Sequence, residues 1–124
     1  MAEAIFNDMA EKNGVCVRAE SFGIATSTGL PVSENSVIAC KEIGVDLSGK
    51  ASTAVADAGI EKYEKFYCMS QSHAKMLMQF FLVQPEKIAV LGISDPYGGD
   101  IEVYRHCRDE IVNSVKEILK AYEN

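Results

Sequence analysis

The chain has 124 residues, 48% apolar and 24% charged, with a formal charge of -6, which suits one domain with a real core. The acidic balance argues against a general nucleic-acid or anionic-membrane binder. No apolar run approaches the ~20 residues of a membrane span, and no basic, apolar and small-residue series resembles a signal peptide.

Helix comes first and begins abruptly, with Ile5, Phe6, Met9 and Ala10 on one face and Asn13-Gly14 as its stop. Val15–Glu20 alternates like a strand and closes at Ser21-Phe22-Gly23. A loop over Thr26–Pro31 leads to a second helix from about Ser33 to Ile43, with Ser36, Ala39, Cys40 and Ile43 on one side and Gly44 after it. Val45–Lys50 is a connector, and Ser52–Ile60 holds a weakly patterned short helix. Phe66–Met69 reads as a buried strand. Ser72–Leu82 reads as a helix with Met76, Leu77, Phe80 and Phe81 inward. Pro85 ends that segment and Ile88–Ile93 is the last strand. The final helix, about Ile101–Tyr122, carries Tyr104, Cys107, Ile111, Val115, Ile118 and Tyr122 at steps of three or four. Helices alternating with short apolar strands predict a single three-layer α/β domain, a short parallel sheet flanked by helices.

Ligands of such folds bind at the carboxyl ends of the strands. That edge collects Ser21-Phe22-Gly23, Ser70-Gln71-Ser72-His73 and the loop Ser94-Asp95-Pro96-Tyr97-Gly98-Gly99-Asp100. Pro96 biases Asp95 toward an extended backbone, and Asp100 is placed to cap the next helix. The loop reads either as a polar turn or as a carboxylic acid held beside an aromatic wall, Tyr97. His73 reads as a helix-start residue. The four cysteines, Cys16, Cys40, Cys68 and Cys107, are widely spread, with no C-x-x-C pair and no His at metal spacing. They predict reduced, mostly buried thiols in a cytoplasmic protein, and none lies in a glycine-rich loop before a helix, where a thiolate would be activated.

Several segments, in order, resemble the low-molecular-weight protein-tyrosine phosphatases, with the related bacterial arginine phosphatases and arsenate reductases. Met1-Ala2-Glu3-Ala4-Ile5-Phe6 is similar to the helix after that family's phosphate loop, and Ser21-Phe22-Gly23 falls at its Ser-Ala-Gly. Gly44–Gly49, Met69–His73 and Asp95-Pro96-Tyr97-Gly98 followed by Glu102-Val103-Tyr104 resemble its later segments. The resemblance spans essentially the whole chain. It implies a fold of that kind, no cofactor, and hydrolysis of phosphotyrosine or phosphoarginine through a phosphocysteine. Asp95 would be the catalytic acid and Tyr97 a substrate-binding wall. The implied partners are a phosphorylated protein or a small aryl phosphate.

The family's first strand and its Cys-x5-Arg loop have no counterpart here. Six positions after Cys16, Cys40, Cys68 and Cys107 stand Phe22, Asp46, Ala74 and Asn113. At Gly49-Lys50-Ala51-Ser52, where many relatives carry a His and an Arg, the sequence also departs. Three expectations follow from the resemblance: an N-terminally truncated phosphatase domain over residues 1–124, inactive as it stands; a fragment without a role of its own; and a non-catalytic pseudo-phosphatase or interaction module. An arsenate reductase relative is a further alternative. The lost strand would lie between Val15–Glu20 and Phe66–Met69, leaving a slot that either closes by direct pairing of those two segments, with a loosened first helix, or is filled by another chain through strand addition or swapping; direct closure is the expected outcome. The exposed edges would favour self-association.

Overall fold

The computed structural model describes residues 1–23, 33–47 and 59–122. The expected loop over Thr26–Pro31, the Gly49–Ser52 segment and most of the Ser52–Ile60 helix lie outside the described residues.

Four helices are described: α1 (Ala2–Lys12), α2 (Glu34–Lys41), α3 (Gln71–Phe80) and α4 (Ile101–Lys120). Three of them start on a side-chain cap. Ser33, Ser70 and Asp100 accept from Ser36 N, His73 N and Val103 N, respectively, which satisfies donors that the first turn leaves without a helical partner. Helix α1 begins at Ala2 with no side-chain cap. Two strands, β1 (Phe66–Cys68) and β2 (Ile88–Val90), pair in parallel with Phe66 opposite Ile88 and Cys68 opposite Val90. Short 3-10 turns at Ile60–Lys62 and Pro85–Lys87 precede them.

Alternation along the strands divides the core into two layers. On one face, Phe66 and Cys68 pack with Ala74 and Leu77 of α3, joined by Ile88 and Val90. On the other, Ile5, Phe6 and Ala10 of α1, Cys40 of α2, and Cys107, Ile111, Val115 and Leu119 of α4 form the larger cluster, against which Met69 and Leu91 pack. The three-layer α/β expectation holds. Among the described residues, no helix is long and apolar enough to cross a membrane.

Helix α2 is tied to α4 by charge. Glu42 receives Arg105 Nη2 at 2.7 Å and Arg108 Nη1 at 2.7 Å, while Arg108 Nη1 also donates to Ala39 O at 3.0 Å. These hydrogen bonds, that from Arg105 first, hold the Glu42 carboxyl below its ordinary pKa.

The structure corrects four expectations. Val15–Glu20 keeps its alternation, with Val15, Val17 and Ala19 half-buried and Cys16, Arg18 and Glu20 exposed, but it joins no sheet with β1 or β2. Its hydrogen bonding comes instead from α1: Asn7 Nδ2 donates to Ala19 O at 2.9 Å, and Ala19 N donates to Asn7 Oδ1 at 2.7 Å. One side-chain amide thus does what a neighbouring strand's peptide would do. The predicted direct pairing of this segment with Phe66–Met69 does not occur, because a cleft of about 760 Å³ separates them. Nor is the first helix loosened, since α1 runs unbroken over Ala2–Lys12. Finally, Phe80 faces outward, 71% exposed. The inward stripe of α3 runs through Ala74 and Leu77 to Phe81, and Phe80 sits about 100° round the helix from Phe81. The amides of Phe81 and Val83 then close on Leu77 O, ending the helix before Leu82.

Candidate active site

The carboxyl end of the sheet is where the strands hand their chains to polar loops. Leu91 N donates to Cys68 O at 2.7 Å and Ile93 N to Met69 O at 3.0 Å. These bonds extend the β1–β2 pairing past its last strand residue and set Ser70 and Ser94 at one edge. Ser70 Oγ lies 2.9 Å from Ser72 Oγ and accepts the His73 amide at 3.4 Å, so His73 is a first-turn residue of α3, as the sequence suggests.

The Asp95 loop is shaped from within. Asp95 Oδ1 accepts the Tyr97 amide at 3.0 Å, an Asx turn of the kind short carboxylates make with their own backbone. Gly99 N returns to Pro96 O at 2.9 Å, and Gly98 takes the left-handed backbone (φ +83°) that this reversal needs. Gly99 has a different reason to lack a side chain. A Cβ there would stand 2.8 Å from the Val103 side chain and 3.0 Å from Pro96 O. Asp100 then caps α4 at 3.1 Å, and Cys107 Sγ reaches Ser94 O at 3.8 Å. From α2, Asn35 Nδ2 reaches Gly99 O at 3.5 Å.

This architecture presents Asp95 as an exposed carboxylate on a fixed turn, at the strand end where such folds hold ligands. Tyr97 stands 84% exposed beside it. The first turn of α1 belongs to a second cluster: Glu3 Oε1 accepts from Ser21 N at 2.8 Å and Ser21 Oγ at 3.3 Å. Ser21, Gly23 and His73 line the cleft, together with Ala2 and Glu3; Asp95 and Tyr97 are not among its lining residues. The structure therefore brings Asp95 and Tyr97 together on one turn and Ser21 and His73 around the cleft.

All four cysteines are free; Cys16 is exposed, and Cys40, Cys68 and Cys107 are buried. Burial pushes each of the three buried thiols up in pKa, which keeps them protonated and poor nucleophiles. Among the described residues, no group of three or more His, Cys, Asp or Glu could hold a metal. Sequence reading missed Asn7 as the partner of Ala19, because a lone Asn inside a helical pattern carries no signal of a contact twelve positions away.

The whole chain, residues 1–124, matches the family described as low molecular weight phosphotyrosine protein phosphatase. It is 26% identical to a protein-arginine-phosphatase of Bacillus subtilis (strain 168) over 129 residues, 97% of this chain and 85% of that one. It is 28% identical to a protein-arginine-phosphatase of Geobacillus stearothermophilus over 113 residues, 84% of this chain and 76% of that one. Its fold superimposes on the crystal structure of a low molecular weight protein tyrosine phosphatase from T. tengcongensis with a TM-score of 0.91 at 25% identity, covering 97% of this chain and 88% of the other.

Proposed function

Because the chain belongs to the low molecular weight phosphotyrosine protein phosphatase family, we propose that it carries the acid-loop part of a phosphatase for phosphorylated proteins. Asp95 is the general acid that protonates the leaving group, and Tyr97 is a wall of the substrate pocket. The observation that carries this reading is the Asp95 turn, an exposed carboxylate braced at the carboxyl edge of a parallel sheet. Both curated relatives are named protein-arginine-phosphatases, which supports phosphoarginine ahead of phosphotyrosine as the substrate group.

The acid alone does not make the reaction. Phosphocysteine chemistry needs a thiolate in line with phosphorus, with backbone N–H groups and a bidentate Arg on the equatorial oxygens. No cysteine of these 124 residues is followed by Arg six positions on, and the three buried thiols are held protonated. The 124 residues by themselves therefore turn over no aryl phosphate. The same observations favour, as a second reading, a non-catalytic interaction module.

An assay with an activated aryl phosphate and with a phosphoarginine peptide at mildly acid pH tests both readings. The chain alone should match buffer. With an N-terminal segment carrying a strand and a Cys-x5-Arg loop joined ahead of Met1, activity should appear. Asp95→Asn in that longer protein should lower it by ~10²–10⁴-fold while leaving substrate binding in place. Turnover by the 124 residues that disappeared in Asp95→Asn would overturn the proposal, by revealing another nucleophile. An extended protein that folds, binds phosphate and stays inert would favour the interaction module.

A further inference from the structure

The Asp95 turn has two kinds of support. Its shape is made within the loop, by the bond from Tyr97 N to Asp95 Oδ1 and the return of Gly99 N to Pro96 O. Its attachment to the body of the protein involves side chains from α2 and α4. Ile93 N is still held by Met69 O at 3.0 Å, so the chain leaves the sheet at Ser94. There the buried Cys107 Sγ of α4 reaches Ser94 O at 3.8 Å. Burial pushes the Cys107 thiol up in pKa, which keeps a proton on sulfur for that contact. Beyond the turn, Asn35 Nδ2 of α2 reaches Gly99 O at 3.5 Å. The two side chains thus meet the carbonyls that bracket the span Asp95–Gly98. Asn35 itself sits on a braced helix. Ser33 caps the turn of α2 that carries it, and Glu42, just past the other end, is bound to Arg105 and Arg108 of α4.

We propose that Asn35 and Cys107 are positioning residues for Asp95, gripping the backbone on either side of its turn. The inference rests on the reading of Asp95 as the general acid and adds what aims it. A thiol is a weak donor, and 3.5 Å is long for an amide donor, so each contact restrains the loop without locking it. That restraint matters because a general acid passes its proton only over hydrogen-bond distances. A turn that swings as a unit carries its carboxyl out of reach, however well the turn itself is formed. Asn35 also separates positioning from folding. It lies in the first turn of α2, where a carboxylate is favoured by the helix dipole. Asn35→Asp therefore keeps the shape of the side chain and supports the helix, yet replaces the donor facing Gly99 O by an acceptor.

The test compares Asn35→Asp and Cys107→Ala with the parent 124-residue chain by amide nitrogen relaxation and thermal melting. In Asn35→Asp the melting temperature should hold or rise, while the order parameters of the Gly98 and Gly99 amides fall from ~0.85 toward ~0.6. Cys107→Ala also removes buried sulfur and should melt lower, so Cys68→Ala, at another buried thiol, is its control. Only Cys107→Ala should loosen the loop. In the longer protein with a Cys-x5-Arg loop, Asn35→Asp should lower kcat roughly two- to tenfold and leave KM in place. The loss should be greater for phenyl phosphate than for an activated aryl phosphate, whose leaving group needs less help from an acid. Parental order parameters in Asn35→Asp would overturn the proposal, and equal loosening in Cys68→Ala would remove Cys107 from it. A loosened loop with kcat unchanged in an active longer protein would refute the positioning role. A longer protein inert in every form, with the loop loosened in Asn35→Asp, would instead overturn the general-acid reading and uphold the grip on the turn.

Discussion

Replacing Asn7 by Ala should detach the extended segment from α1. The Asn7 amide satisfies both backbone groups of Ala19, accepting at 2.7 Å and donating at 2.9 Å in a partly buried setting. A net intramolecular hydrogen bond contributes ~0.5–1.5 kcal/mol, so losing two costs about 1–3 kcal/mol. Against this, Ala is the better helix former by up to ~0.7 kcal/mol, leaving a deficit of about 0.3–2.3 kcal/mol. For a domain of this size that is a fall in Tm of about 1–9 °C. Urea unfolding followed by far-UV circular dichroism should show a lower midpoint with an unchanged slope, and the Ala19 amide should lose its exchange protection. Asn7→Asp separates the two bonds. It keeps the acceptor for Ala19 N–H but turns the donor into a carboxylate facing Ala19 O, so near neutral pH it should be at least as destabilised as the Ala variant. Repulsion by the carbonyl raises that carboxyl's pKa in the folded state. The stability it restores when protonated is therefore regained as pH falls and lost as pH rises. An Asn7→Ala protein with the urea midpoint and Ala19 protection of the parent would refute the reasoning, because the segment would then be held by packing alone.

Other outcomes follow from the same geometry. Gly99→Ala should destabilise by ~1–3 kcal/mol, since its Cβ would meet Val103 at 2.8 Å; chemical denaturation checks this, and Val103→Ala in the same chain should recover part of the loss. Glu42, its pKa lowered by hydrogen bonds from Arg105 and then Arg108, contributes stability that is present above its ordinary value and lost as pH falls through the lower folded value. Glu42→Gln should therefore flatten the acid side of the stability profile, which melting curves across that range would show. A thiol reagent at neutral pH should modify Cys16 quickly and reach Cys40, Cys68 and Cys107 only on unfolding; a second fast thiol would contradict their burial.

What the sequence discloses here is the part of the fold that local chemistry encodes. Ser33, Ser70 and Asp100 each precede an apolar period and each caps a helix in the structure. The stripe from Tyr104 to Val115 is periodic enough to mark the buried face of α4 without any tertiary information. The turn at Asp95 is legible for the same reason, since Asp-Pro-x-Gly encodes its own turn. The Val15–Glu20 segment shows where this stops. Its alternation records burial correctly, but a strand also needs a neighbour, and the neighbour that the structure supplies is a side chain on α1. Phe80 fails for a narrower reason. Two adjacent phenylalanines offer two stripes through Leu77, and only packing against Val83 and the strands selects Phe81.

The same distinction bears on the site. Asp95 and Tyr97 are positioned by contacts within Ser94–Asp100, by the α4 cap and by the reach of Asn35, so their geometry does not depend on what occupies the cleft. Ser21, Gly23 and His73 are different, because they border a volume of about 760 Å³. A substitution among the residues that line the cleft should therefore leave the Asp95 turn as it is, because neither Asp95 nor Tyr97 is among them.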